Sequence, residues 1–154
     1  MNENIHNRED KVKAVIIASS EGIPLVSVKV DEKFKEDLIA PFFSAIKNFS
    51  EEQIGTLNES LIKGGDSDVL VVHHHNLILI AIMDSSLQKQ GINEEAKEAL
   101  DIFYKMYEEE IETIDKSCLD LTIFKRFEVL LEKQIKDYYE KIDENSGEEE
   151  GDKN

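Results

Sequence analysis

Three consecutive histidines, His73-His74-His75, are the residues whose type and spacing most suggest chemistry. On a strand, His73 and His75 point to one face, where two imidazoles can bind Zn²⁺ or Cu²⁺ with a third ligand from elsewhere. The sequence has no CxxC or HExxH motif and no nearby pair of acids to complete such a site. We therefore expect solvated histidines at a strand end and predict no metal site.

Carboxylates and hydroxyls near the same stretch form no catalytic motif. Asp66, Asp68 and Asp84 could perform acid–base chemistry or hold a divalent ion, but acids at strand ends commonly lie in loops. Ser85-Ser86 is not part of a G-x-S-x-G motif, and no Lys-Ser/Thr pair follows Gly64-Gly65 to make a phosphate-binding loop. The sequence predicts a protein that is not an enzyme, with no catalytic residue and no cofactor.

Charge and composition narrow the class of partner and the location. The 154 residues include 34 Asp+Glu against 18 Lys+Arg, a formal charge of −16, which disfavours binding to nucleic acid. Cys118 is the lone cysteine, so no internal disulfide is possible, and the chain opens on a polar run instead of a signal peptide. The longest apolar run, 77–83, is far shorter than the roughly 20 residues of a membrane helix. We expect a cytoplasmic protein with no membrane span.

Hydrophobic periodicity predicts one domain of mixed class between two polar ends. Strand patterns occupy 12–18, 23–30, 56–63, 68–75 and 77–83, and helical patterns occupy 34–49, 96–114 and 121–142. The expected fold is α/β (α+β), longin/profilin-like, with a five-stranded antiparallel sheet and the order β-β-α-β-β-β-α-α. The predicted boundaries are a flexible arm at 1–10, the domain at 11–142 and a disordered acidic tail at 143–154. Helices two and three are either separate or one kinked helix.

The first predicted helix carries more apolar surface than one sheet face needs. Pro41 lies inside it, so we expect a kink or break there unless Pro41 begins a second helical segment. The apolar stripe is either an exposed patch that receives a partner or a face sandwiched inside the protein. The residues predicted to form an interface are Phe34, Leu38, Phe42, Phe43, Ile46 and Phe49.

Three segments carry a family resemblance: the hairpin at 15–27, the helix at 38–46 and the strand at 77–84. Together with the element order, they make the chain resemble a stand-alone longin-like protein of the archaeal type. The same core without its last helix resembles the roadblock family. The first ten residues offer no strong counterpart of the helix that precedes the sheet in roadblock proteins, so longin is favoured. Profilin, PAS and GAF domains have related layouts.

The resemblance implies a function that the residues alone do not indicate. Longin and roadblock proteins are dimeric adaptors that serve as platforms or exchange-factor parts for small Ras-like GTPases. We therefore expect a non-catalytic interaction module in a membrane-trafficking-like system, which pairs as a homodimer or heterodimer with a longin/roadblock-type protein and binds or regulates such a GTPase. The alternative is a PAS/GAF-like sensor of a small molecule. Acids crowd the last two helices, so any dimer should form through helix one or a sheet edge.

Overall fold

The computed structural model describes residues 8–114 and 120–152, and these residues form five strands and three long helices in the predicted order. Two short 3₁₀ turns, Ser85–Lys89 and Leu121–Lys125, precede the second and third helices. In chain order the elements are β1 Val12–Ser19, β2 Pro24–Lys29, α1 Glu36–Ile54, β3 Glu59–Lys63, β4 Asp68–His74, β5 Leu77–Met83, α2 Ile92–Glu112 and α3 Arg126–Asp152.

The strands form one antiparallel sheet in the order β2-β1-β5-β4-β3. The two central strands, β1 and β5, are almost completely buried because both of their faces carry apolar side chains. Pro24 begins the edge strand β2, where its missing N–H can face away from the ladder. The predicted fold class and the five-stranded antiparallel sheet are confirmed.

Helices cover both faces of the sheet, but unequally. On one face α2 and α3 pack against Val15, Ile17 and Leu79, with α2 lying over β4 and β5 and α3 over β2. On the other face α1 alone packs against Ile16 and Ile80. Alternate residues of each central strand therefore belong to two different hydrophobic cores, as the pleat requires.

Aromatic rings hold the two-helix face together. The ring centroid of Phe103 on α2 lies 5.0 Å from that of Phe127 on α3 and 5.5 Å from that of Phe124. The buried hydroxyl of Tyr139 on α3 accepts a 2.6 Å hydrogen bond from the backbone N–H of Val12 at the start of β1. These contacts fix α3 against the sheet as well as against α2.

The structure differs from the sequence prediction in two elements. The helix α1 runs through Pro41 without a break. Proline removes a donor to the carbonyl of Asp37, but Asp37 is exposed in the first turns, where water can replace the donor. Strand β3 begins at Glu59, three residues later than the pattern at 56–63 predicts.

Several sequence predictions fall partly on residues that the structure does not describe. The soft break at 115–117 and Cys118 lie outside the described residues, as do positions 1–7 of the predicted arm. Within that arm, Arg8 donates hydrogen bonds of 2.8 and 3.0 Å to the two carboxylate oxygens of Asp143 on α3. The helix α3 continues to Asp152, and the division into arm, domain and tail stays a prediction. Helices α2 and α3 are separate.

The turn between β1 and β2 lies close to α1, and Gly22 makes this approach possible. Its φ is +92°, and a Cβ at this position would lie 2.8 Å from the Cα of Pro41. The Ser44 hydroxyl donates a 2.7 Å hydrogen bond to the carbonyl of Ser20 in the same turn. Glycine is therefore required here both by conformation and by space.

We predict that Gly22→Ala destabilises the fold more than Gly55→Ala does. Gly55 has nearly the same φ, +95°, but a Cβ there meets nothing within 4 Å. Gly55, with ψ of −165°, lies in a region essentially restricted to glycine, so the backbone conformation should cost roughly 1–3 kcal/mol in each variant. Gly22→Ala should lose about 1–3 kcal/mol more from overpacking. Urea denaturation of the three proteins measures the difference. Equal losses in the two variants would contradict the close approach of α1.

Candidate functional site

The face of the sheet that α1 packs on is only partly covered. A helix with its side chains is about 10–12 Å wide, whereas five strands span about 19 Å between the outer strand axes. The helix lies mainly over β2, β1 and β5, so the far edge strand β3 has no helix above it on this side. Ile62 of β3 pairs with Val69 on this side and is 42% exposed as a result, whereas Leu61 pairs with Leu70 on the α2–α3 side and is 46% exposed there.

The outer side of α1 adds a second apolar surface. Leu38, Phe42 and Phe49 are 73%, 58% and 67% exposed, and their spacing places them on one side of the helix. We call these three residues the α1 face. Large apolar side chains that are exposed together commonly mark an interaction site.

The structure divides the six residues that the sequence predicts for an interface. Three of them form the α1 face, whereas Phe43 is buried in the core between α1 and the sheet. Phe34 and Ile46 are half-buried. The helix therefore combines the two alternatives: its inner side is sandwiched in the core, and its outer side is an exposed apolar patch. The assignment of these residues to an interface stays a prediction.

The backbone of β3 offers an open hydrogen-bonding edge. His73 donates its N–H to the Asn58 carbonyl, and Gly64 donates to the Ser67 carbonyl. In an antiparallel ladder hydrogen-bonded pairs alternate, so Ser60 and Ile62 bond to β4. The N–H and C=O groups of the alternate residues point away from the sheet. We call this row the β3 edge, and its residues are Glu59, Leu61 and Lys63.

Two of the three acids considered as possible catalytic groups, Asp68 and Asp84, have carboxylates with structural partners, whereas Asp66 accepts a 3.0 Å hydrogen bond from Lys13 through its backbone carbonyl. Buried Asp68 accepts a hydrogen bond from the side-chain amide of Gln88, which holds the 3₁₀ turn against β4. Asp84 accepts a 2.8 Å hydrogen bond from the Lys11 backbone N–H and lies 3.4 Å from the ammonium of Lys13. Both acids fix chain segments at one end of the sheet.

The histidines do not lie as the sequence predicts, and the pairing of His73 with His75 on one face is wrong. His75 and Asn76 have φ of 56° and 59°, so they form a two-residue turn and His75 does not continue the strand alternation. His73 faces α1, and burial lowers the pKa of its ring to about 4. His74 and His75 instead meet Asp101 of α2 on the opposite face.

Sequence reasoning missed Asp101 because nothing local connects it to the histidines. It lies on the polar side of an amphipathic helix among many other acids. The Asn76 position is the one available signal, since asparagine favours the left-handed turn that redirects His75.

Comparison with known proteins identifies the fold. No protein-family model and no curated protein matches the sequence. Myxococcus xanthus MglB aligns over 64% of this chain and 85% of its own, with a TM-score of 0.55 and 16% identity. An MglB with a tetrameric arrangement aligns over 64% and 80%, with a TM-score of 0.53 and 14% identity. The chain has the roadblock/longin fold.

A roadblock/LC7 domain from Streptomyces avermitilis also aligns, over 55% of this chain and 74% of its own, with a TM-score of 0.43 and 11% identity. The predicted roadblock/longin type is confirmed at the level of the fold. Within the described part of the chain, the helices are too short or too polar to cross a membrane.

We predict that two matched proline variants distinguish the two sides of β3. Leu61→Pro should leave the β3–β4 hydrogen bonds intact, because the Leu61 N–H points outward. Ile62→Pro removes a donor to β4 and should cost about 1–3 kcal/mol more. The two side chains are similarly exposed, 46% and 42%, so their lost burial is comparable. Urea denaturation measures the difference, and a more damaging Leu61→Pro would contradict the register.

Proposed function

We propose that this chain is a non-catalytic interaction module that dimerises and binds or regulates a small Ras-like GTPase in a membrane-trafficking-like system. The observation that carries the proposal is the exposed α1 face on a domain whose β3 edge is also open. The roadblock/longin fold supports it, because adaptors of this fold pair with one another and serve as platforms for such GTPases.

Dimerisation would cover both exposed features. Two copies related by a two-fold axis bring the same surface of each copy together. Antiparallel pairing of two β3 edges would satisfy the outward N–H and C=O groups and extend the sheet. The α1 face is apolar, and α1 as a whole carries four acids and one lysine, whereas α2 carries eight acids and two lysines. Repulsion therefore disfavours self-association through α2 and leaves α1 and β3 as the dimer surface.

The acidic surface of α2 supports the part of the proposal that concerns GTPase binding. Glu108, Glu109 and Glu112 project from the C-terminal half of α2 and are exposed. A surface of this sign attracts a partner that carries a basic patch, and it speeds the encounter at low ionic strength. We place the GTPase contact on this side of the domain, away from the proposed dimer surface.

The PAS/GAF-like sensor is the weaker candidate. A sensor of that kind binds its ligand between sheet and helices, in a pocket of roughly 300 Å³ or more. The cavity between the sheet and the helices α2 and α3 is about 40 Å³, and apolar side chains such as Val15, Leu79 and Leu131 line it. This interior cavity is too small for such a ligand, which disfavours a sensor with an internal site. A larger cleft of about 530 Å³ lies at the end of the sheet, beside His75 and Tyr104, outside that core.

We predict that the wild type is a dimer and that Phe42→Glu and Phe49→Glu make it a monomer. A carboxylate at either position would have to be buried unpaired at the dimer surface. Val129→Glu on α3 is the matched control, because Val129 is 70% exposed and lies on another face. Sedimentation velocity at micromolar concentration measures the mass. A monomeric wild type, or equal dissociation of the control, would refute the assignment.

We also predict that Leu61→Pro weakens the dimer while the monomer stays folded, because the lost N–H belongs to the β3 edge. Circular dichroism checks the fold in the same samples. A dimer of unchanged stability would show that the α1 face pairs without the sheet edge.

We predict that the immobilised dimer captures at least one Ras-like GTPase from a panel loaded with GDP or a GTP analogue. Capture should weaken as salt rises from about 0.05 to 0.5 M, because screening shortens the reach of the acidic surface. Glu109→Lys should reduce capture, whereas Val129→Glu should not. If the purified protein is monomeric and captures no GTPase at low salt, the proposal fails.

A further inference from the structure

The turn between β4 and β5 and the middle of α2 bring three possible metal ligands together. The Nε2 atoms of His74 and His75 lie 3.0 and 2.8 Å from the same oxygen, Oδ1 of Asp101. The three ligand atoms all lie within 4.8 Å of one another. We propose that His74, His75 and Asp101 bind one divalent transition-metal ion of the zinc type.

The distances suit such an ion. Zinc takes imidazole nitrogens at about 2.0–2.1 Å and carboxylate oxygens at about 2.0–2.2 Å in a tetrahedral arrangement, so ligand atoms lie roughly 3.3–3.4 Å apart. The two nitrogen–oxygen distances in the structure are within about half an ångström of this value. Binding therefore needs the nitrogen–oxygen pairs to open slightly and the two imidazole nitrogens, which lie within 4.8 Å of each other, to reach a similar separation. The fourth position is left to water.

Rigid neighbours hold the cluster in place. The rings of His75 and Tyr104 are parallel within 4° and their centroids are 4.2 Å apart, so stacking fixes the orientation of one ligand. The Tyr104 hydroxyl donates a 2.9 Å hydrogen bond to Glu112, which raises the pKa of Tyr104 to about 12. The hydroxyl is directed at Glu112, and the ring supports His75 from one side.

The donor types and the local charge also suit a metal. Zinc accepts a carboxylate oxygen and neutral imidazole nitrogens as ligands. Binding requires each Nε2 to give up its proton, with the remaining proton on Nδ1. Nearby acids of α2 and the formal charge of −16 favour accumulation of a cation over an anion.

Access is open. The side chains of His74, His75 and Asp101 are 47%, 31% and 44% exposed. His75 and Tyr104 also line a cleft of about 530 Å³ at this end of the sheet. An ion can therefore enter from solvent, and the bound ion would link the β4–β5 turn to α2. Such a link is the structural role that we assign to it, with no reaction attached.

The test uses the full chain without any histidine tag, stripped with chelator and titrated with Zn²⁺ in a calorimeter. We expect one ion per chain and a rise in the thermal unfolding midpoint. Titration with Co²⁺ should give the visible absorption of tetrahedral coordination. Asp101→Asn and His75→Asn should weaken binding at least about tenfold, since each removes a direct ligand and keeps a similar shape. Asparagine also tolerates the positive φ at position 75.

His73→Gln is the matched control, because this neighbouring histidine faces α1 on the other side of the sheet. It should bind Zn²⁺ as the wild type does. The proposal is overturned if the stripped wild type binds no Zn²⁺ or Co²⁺, or if Asp101→Asn and His75→Asn both bind as tightly as the wild type. Equal loss in His73→Gln would also overturn it, since a general loss of structure would then explain the effect.

Discussion

The double burial of β1 and β5 is the constraint on which the rest of the structure depends. Both strands carry apolar side chains on both faces, so the sheet is stable only with helices on either side. In chain order α1 lies between β2 and β3, and α2 and α3 follow β5. The helices α2 and α3 pack on one face of the sheet, so α1 is alone on the other. One helix is narrower than five strands, so this face is completed only partly within a single chain. The exposure of Ile62 on β3 follows directly from that shortage.

The other face is covered by two helices over most of its width, and Leu61 at the β3 edge stays exposed there. The aromatic contacts of Phe103, Phe124 and Phe127 close the space between α2 and α3. The hydroxyl of Tyr139 binds the first N–H of β1, and Arg8 packs its guanidinium over the same ring at 4.3 Å. With its interior filled in this way, the domain has little room for a ligand inside. Its functions are therefore expected on its surfaces.

Much of this fold can be predicted from the sequence, because its hydrophobic residues follow two periods, about 2 residues in the strands and about 3.6 in the helices. Alternating and β-branched runs predicted the strands, and apolar stripes such as Phe103 and Phe127 predicted the helices that cover them. The resemblance to roadblock and longin proteins then followed from element order. Boundaries were less accurate where polar residues allow either state, as at the start of β3, because Leu57 is a single apolar residue among Thr56, Asn58 and Glu59 and sets no period.

The candidate sites were only partly readable, for a different reason. Periodicity identified the α1 stripe, but only packing decides that Phe43 points inward while Phe42 points outward. The histidine cluster depends on a long-range contact, 26 residues from His75 to Asp101, and on a turn that reverses the direction of one side chain. Strand alternation applied to His75 gave the wrong partner, because the alternation stops where the left-handed turn begins.

Strand β4 connects the two surfaces and also keeps them apart. His73 and Val71 face α1, whereas the intervening Val72 and the following His74 face α2. The proposed dimer surface and the proposed metal site therefore lie on opposite faces of one sheet, separated by a layer of buried side chains. Because both partners of the metal site, the β4–β5 turn and α2, lie outside α1 and β3, neither surface needs the other to be occupied. Dimerisation without metal, or metal binding by a monomer, would be consistent with this arrangement. Each property therefore depends only on the contacts of its own surface.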